Sequence, residues 1–296
     1  MKKVLVAGAS GYLGRHLVAA LKAAGFWVRV LVRQQSIHKV KDLPFDDIRL
    51  GEARRPDEIR GVAAGMDYVV SAVGITRQRD GLDYMDVDYQ ANMNLLAEAQ
   101  AASVARFTYI HALGAEEMPE VALLRAKQAF ADHLQKQGFM GQVVLPTGYF
   151  SDMKDFLNMA RSGRIYLFGD GSARMNPIHG CDLARAVAMN LEQGPARLAI
   201  GGPEVFSYRE IAELVFACLG KKPRITTIPN GLMRWGILPF KRLMPKHAAG
   251  PLAFFYAVMN RNLVGEPYGN HRLRDFFEEE TKQNQAKNKR PVVQAE

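Results

Sequence analysis

Short apolar runs alternate along the chain with longer stretches in which apolar positions recur every three or four residues. Residues 4–7 and 27–32 are compact β-branched runs, and residues 12–24 between them have helical spacing. A weaker strand is expected at 48–51 and a stronger one at 68–73. The spacing then predicts a long helix over 89–102, a strand over 106–111, a helix over 122–136 and a strand over 142–145. Strands that are apolar throughout, rather than alternating, must be covered on both faces. Helices between such strands form right-handed crossovers, so the pattern predicts an α/β fold with a doubly wound parallel sheet.

After residue 146 the rhythm changes. Gly- and Pro-rich pieces (SGRIYLFGDGSARMNPIHG) precede helices expected over 182–191 and 208–219, with short strands at 198–200 and 224–228. This reads as a smaller mixed region, over 147–280, packed on the carboxyl edge of the sheet and interleaved with the 1–146 core. The final stretch, 281–296, is polar and basic and reads as a flexible tail.

Composition narrows the function. The 296 residues are 48% hydrophobic and 23% charged, which excludes a disordered or fibrous chain. The net charge is +9, and a basic balance raises nucleic acid, anionic membrane and phosphate-bearing ligands as partners. Its location decides among them. Residues 221–250 hold seven Lys and Arg and no acid, and the tail holds four against Glu296. The remaining chain is near neutral. No helix-turn-helix, zinc-finger spacing or basic heptad region accompanies the excess, so no nucleic-acid partner is expected. Cys181 and Cys218 are the two cysteines, too few for a disulfide framework, and a reducing compartment fits. The apolar run after Met1-Lys2-Lys3 is shorter than the roughly 7–15 residues of a signal h-region. No run of 18 apolar residues exists. A cytoplasmic protein is expected, with peripheral membrane contact as an open question.

Gly8-Ala9-Ser10-Gly11-Tyr12-Leu13-Gly14 lies between the first expected strand and helix. Gly8 suits a tight turn, Gly11 lets backbone approach a pyrophosphate, and Gly14 lets the helix pack on the strand. The helix N-terminus then faces the phosphates, with Ser10 as a further donor. A glycine cluster can be a turn and nothing more. Its place near the N-terminus, between strand and helix, is the context a dinucleotide site requires. About twenty residues on, where a carboxylate would bond the ribose hydroxyl of NAD, stands Arg33. A guanidinium there suits a 2′-phosphate, so NADP(H) is favoured over NAD(H); the plain alternative is a solvated strand-end arginine.

These residues carry a family resemblance. GASGYLG resembles the loop of the extended and atypical branches of the short-chain dehydrogenase/reductase superfamily, including its NmrA-like and isoflavone-reductase-like members. Ala72-Val73-Gly74, VDYQANMNLLAEA, RFTYIHALGA, LLRAKQAF, LPTGYFSDM and NPIHGCDLARA match the same group in order, over roughly residues 1–230. The resemblance implies an NAD(P)-binding Rossmann core. It implies that Tyr12, Leu13, Ala72, Val73, Gly74, Lys127 and Pro146 also meet the cofactor. Tyr149 and Phe150 follow the sixth strand, on the edge where open α/β sheets bind ligands, and either can line a substrate pocket. The resemblance implies for Lys127 the lysine of a Tyr-x-x-x-Lys pair, whose i, i+4 spacing puts both side chains on one helix face. Four residues before Lys127, however, stands Leu123, and Ile110-His111-Ala112 occupies the place of the usual serine. A leucine cannot transfer a proton.

Three readings remain open. The first is a reductase of an activated C=C or C=O of an apolar small molecule, with Lys127 or His111 as proton source and Tyr149 as a remoter candidate. The second is an NmrA-like cofactor-binding sensor, and the third a structural or assembly subunit that retains the cofactor. His111 near the expected nicotinamide can act near neutral pH, or it can fill space. His179 reads as structural. No HExxH or Cys/His cluster is present, and no metal site is expected. Residues 231–259 interleave aromatic and basic positions. They read as a lid over an apolar pocket or as a membrane-surface segment.

Overall fold

The computed structural model describes residues 1–75, 82–136, 141–233 and 246–288. Its centre is a sheet of eight parallel strands in the order β12-β9-β6-β5-β4-β1-β2-β3. The strands are β1 (Lys3–Ala7), β2 (Trp27–Val32), β3 (Asp47–Leu50), β4 (Tyr68–Ser71), β5 (Arg106–Ile110), β6 (Gly141–Pro146), β9 (Arg197–Gly201) and β12 (Glu266–Pro267). The order reverses between β1 and β4. Crevices at such switch points, beyond the carboxyl ends of the strands, are where open α/β sheets bind ligands.

The expected all-apolar strands are buried on both faces. Val4 and Val6 of β1 pack under α1 (Tyr12–Ala23) and α6 (Gly180–Asn190), against Leu17, Val18, Leu21, Leu183 and Val187. Leu5 and Ala7, half a pleat away, face α3 (Ala91–Ala101) and α4 (Ala122–Lys136) through Leu95, Leu96, Phe130 and Leu134. The short helix α2 (Pro56–Ile59) follows β3. A third cluster joins the start of α4 to α5 (Lys154–Arg161), α7 (Tyr208–Cys218) and α9 (Leu273–Asn288). Beside it lie two small sheets: β7 (Ile165–Phe168) with β11 (Ile225–Ile228), and β8 (Arg174–Met175) with β10 (Phe206–Ser207).

Three elements differ from expectation. The strand expected at 198–200 is β9. It pairs with β6 and extends the main sheet rather than joining the smaller region. The start of the helix expected from residue 89 is wider: Met85–Gln90 forms a π-helical turn before α3. The first part of the expected flexible tail continues α9 to Asn288. That polar helix is held to α5: Lys154 Nζ lies 2.7 Å from Glu280 Oε1, and Arg161 donates to the Glu280 carbonyl at 3.0 Å. Two buried residues, Leu273 and Phe277, anchor its inner face. In the 231–259 segment, α8 (Lys246–Val258) follows residues 234–245, which lie outside the described residues.

Candidate functional site

The glycine loop crosses the carboxyl edge of β1 at the switch point. Gly8 has φ +84°, and a side chain there would put Cβ 2.8 Å from the Ala72 carbonyl oxygen. At Gly14 a Cβ would collide with the Gly8 carbonyl. Both positions therefore require glycine. Helix α1 starts with no side-chain cap and no acid in its first turn. The Gly11 amide bonds the Gly8 carbonyl at 3.0 Å, and the Arg15 amide bonds the Gly11 carbonyl at 3.2 Å. The first-turn amides and the positive end of the helix are thus left for an anion. This cradle fits a dinucleotide pyrophosphate.

Two cavities flank the loop. The smaller, about 170 Å³, is lined by Gly8, Ser10, Gly11, Arg33, Ala72, Val73 and Gly74 among others. Arg33 stands at its outer edge with Arg54, and Glu52 lies between them, 3.7 Å from Arg33 and 3.6 Å from Arg54. The larger cavity, about 480 Å³, starts at Tyr12, Leu13 and Gly14 and runs past Lys127, His111, Pro146 and Tyr149. Its far wall is apolar, with Met118, Leu123, Leu124 and, from α8, Pro251, Phe254 and Phe255. Helix α8 therefore forms part of the apolar wall of this cavity.

Each residue expected from the sequence to meet the cofactor or substrate lines one of the two cavities, except Phe150. Phe150 is buried in the core, with its ring 5.6 Å from His179 and 5.5 Å from Phe276. It packs in the cluster with α5, α7 and α9 and does not line the pocket that Tyr149 lines. His179 is structural as expected: its Nδ1 caps α6 by accepting the Cys181 amide at 3.2 Å.

Lys127 has a partner that spacing alone did not reveal. Its Nζ lies 3.2 Å from Oδ1 of Asp88, which is fully buried, and 3.3 Å from the Ile110 carbonyl oxygen to which it donates. It also stands 5.3 Å over the Tyr109 ring. Asp88 accepts the Ile75 amide at 3.2 Å. Desolvation pushes the Asp88 carboxyl up, and Lys127 with that amide opposes the push. An acid four residues before Asn92, itself buried and bonded to the Asp88 carbonyl at 2.9 Å, is the sequence signal that could have pointed to it.

His111 is buried, and burial lowers its imidazole to about 4, so the ring is neutral near pH 7. Gln128 Nε2 donates to Asp132 at 2.7 Å, which turns its Oε1 toward His111 Nε2 at 2.9 Å. An amide oxygen accepts only, so Nε2 carries the proton. Nδ1 then presents a lone pair and has no hydrogen-bond partner. Tyr149 is half-buried, and its hydroxyl is pushed far above the ordinary phenol range by desolvation. Tyr12 is pushed up to about 12, mainly by burial, and its hydroxyl accepts the Gly180 amide at 3.1 Å. Asp152, which sequence reasoning passed over, also lines the larger cavity. Among the described residues no helix is long and apolar enough to cross a membrane, and no cluster of three or more His, Cys, Asp or Glu could hold a metal ion.

Known proteins agree with this geometry. A family model described as NAD(P)H-binding matches residues 8–188. The chain is similar to a chloroplastic divinyl chlorophyllide a 8-vinyl-reductase of Cucumis sativus, 27% identical over 93% of this chain and 75% of that protein. It is also similar to subunit 9 of the NADH dehydrogenase [ubiquinone] 1 alpha subcomplex of Arabidopsis thaliana mitochondria, 24% identical over 76% of this chain and 60% of that one. Its fold matches an Escherichia coli NADPH-dependent quinone oxidoreductase solved with NADPH, with a TM-score of 0.73, 14% identity, and coverage of 95% of this chain and 99% of that one. The parallel sheet, its switch-point glycine cradle and the matched family model lead to one assignment: the chain belongs to the family whose model is described as NAD(P)H-binding.

Proposed function

We propose that the chain is an NADP(H)-dependent reductase of an activated C=C or C=O bond in an apolar small molecule, acting without a tyrosine acid. The observation that carries this reading is the larger cavity. The cavity, about 480 Å³ in all, runs from the glycine cradle to a wall of apolar side chains that includes Leu123. A mostly apolar pocket with a few polar groups beside the reactive end is the form of a small-molecule site. The bound cofactor supplies the hydride. The chain binds it with the α1 amides and Ser10, and Lys127, held by Asp88, reaches toward the nicotinamide ribose. Arg33 and Arg54 take the 2′-phosphate, displacing Glu52 as their partner. The vinyl-group reduction named for the cucumber relative supports a conjugated C=C as the acceptor.

The test is oxidation of NADPH in the presence of a naphthoquinone, an apolar enone such as chalcone, and a long-chain aldehyde. Turnover of at least one acceptor is expected. Tight NADPH binding with no oxidation by any of them would overturn the reading. It would favour the third reading, a structural or assembly subunit that retains the cofactor, to which the Arabidopsis respiratory-complex relative lends weight.

A further inference from the structure

A reductase of this kind must deliver a proton as well as a hydride, and Leu123 has removed the usual donor. Six titratable side chains line the larger cavity: Tyr12, His111, Lys127, Tyr149, Asp152 and Asp155. Lys127 is bound up with Asp88 and the Ile110 carbonyl. His111 is neutral and turns a lone pair, not an N–H, to its unbonded side. Burial raises both tyrosine hydroxyls, Tyr12 to about 12, which leaves them weaker acids than a carboxyl on the same wall. Asp155 lies one helical turn further on, in the first turn of α5.

Asp152 differs from all of these. It sits in the turn that carries β6 into α5, behind Tyr149 on the cavity wall. Its Oδ2 accepts the Tyr149 amide at 3.3 Å, and its own amide bonds the Tyr149 carbonyl at 3.0 Å. Its other carboxyl oxygen makes no hydrogen bond, and no cation pairs with it among the described residues. The groups that face it are the Tyr149 and Tyr12 hydroxyls and the Asp155 carboxylate.

Resting on the reductase reading above, we infer that Asp152 is the proton donor to the substrate, in place of the missing tyrosine. The hydride from NADPH forms a C–H bond at one end of the substrate double bond and leaves NADP+. The π electron pair moves to the other end, which forms its bond to the Asp152 proton as the carboxyl O–H breaks. The resulting carboxylate regains a proton from water. Burial and the nearby Asp155 hold this carboxyl up at about 6, against an opposing bond from the Tyr149 amide. It therefore carries a proton in a useful fraction of molecules near neutrality, as raised-pKa acids do elsewhere.

The experiment compares wild type with Asp152→Asn, whose amide oxygen still accepts the Tyr149 amide. In the apo chain, the variant should match wild-type stability at pH 4 and exceed it at pH 8, because the folded wild type must there ionise a half-buried, desolvated carboxyl. With NADPH and whichever acceptor the wild type turns over best, wild-type kcat should fall about tenfold per pH unit above about 6. Asp152→Asn should lose about 100-fold or more with a flat pH profile. Its NADPH affinity should be unchanged, and Asp152→Glu should recover part of the rate. Equal turnover and the same pH profile in wild type and Asp152→Asn would overturn the inference alone. A wild type that binds NADPH and oxidises it with no acceptor overturns the reductase reading beneath it.

Discussion

The two ends of the cleft treat charge in opposite ways. At the cofactor end each charge has a partner: Asp88 with Lys127, and Glu52 between Arg33 and Arg54. At the substrate end His111, Tyr149 and Asp152 stand among apolar groups, and each is pushed toward its neutral form. Solvation explains the difference. A buried charge is tolerated when a counter-charge repays its desolvation, and is neutralised when none does. The first arrangement holds an anionic ligand in place. The second keeps proton-bearing groups beside a substrate that has no charge to offer. The same residue type, Asp, serves both ends, and its neighbours decide which role it has.

The sharpest way to break this comparison is to remove the compensation at the cofactor end. Asp88→Ala leaves Lys127 facing a void, and breaking a buried pair on one side costs about 3–5 kcal/mol. Denaturant unfolding should show that loss, with NADPH binding weakened alongside it. At the substrate end, His111 works through the unfolded state. The unfolded ring takes a proton below about pH 6.5 and the folded ring only below about 4, so wild-type stability contains a penalty that grows as pH falls across that window. In His111→Gln the penalty, up to about 3 kcal/mol by pH 4, should disappear, as read from unfolding curves at pH 7 and pH 4. Next in size, Arg33→Asp should weaken NADPH by about 10–100-fold and leave NADH nearly unchanged, since a charge-assisted bond contributes about 1.5–3 kcal/mol. A fluorescence titration showing equal loss for both cofactors would contradict the 2′-phosphate role. The smallest effect belongs to Leu123→Ala. Leu123 takes no part in proton transfer, so kcat should stay within about threefold while KM rises with the lost apolar contact.

How much of this was legible in the chain follows the same division. The strands and the glycine cradle were readable because their cause is local: β-branched runs make β1, β2 and β5, and Gly8 and Gly14 are demanded by their own backbone and immediate neighbours. The departure at Leu123 was visible for the same reason, as a fixed i, i+4 offset from Lys127. The charge balance of the cleft was not readable. Asp88 and Lys127 are brought together by the packing of the Met85–Gln90 turn against α4, and Asp152 owes its state to desolvation in the folded chain and to the nearby Asp155. Phe150 shows the limit from the other side. It was adjacent in sequence to a cavity residue, yet its ring went to the core beside His179 and Phe276. Strand β9 joined the main sheet because β6 would otherwise have left an unpaired edge, and edge pairing is a tertiary choice.

The central claim is that a hydride leaves the cofactor for an apolar acceptor in the larger cavity. The most direct measurement of it uses NADPH deuterated at the nicotinamide C4, with chalcone, a naphthoquinone and a long-chain aldehyde as acceptors and mass spectrometry of the products. Deuterium from one face of C4 is expected on the product of at least one acceptor. Bound cofactor that keeps all its deuterium with every acceptor would contradict it.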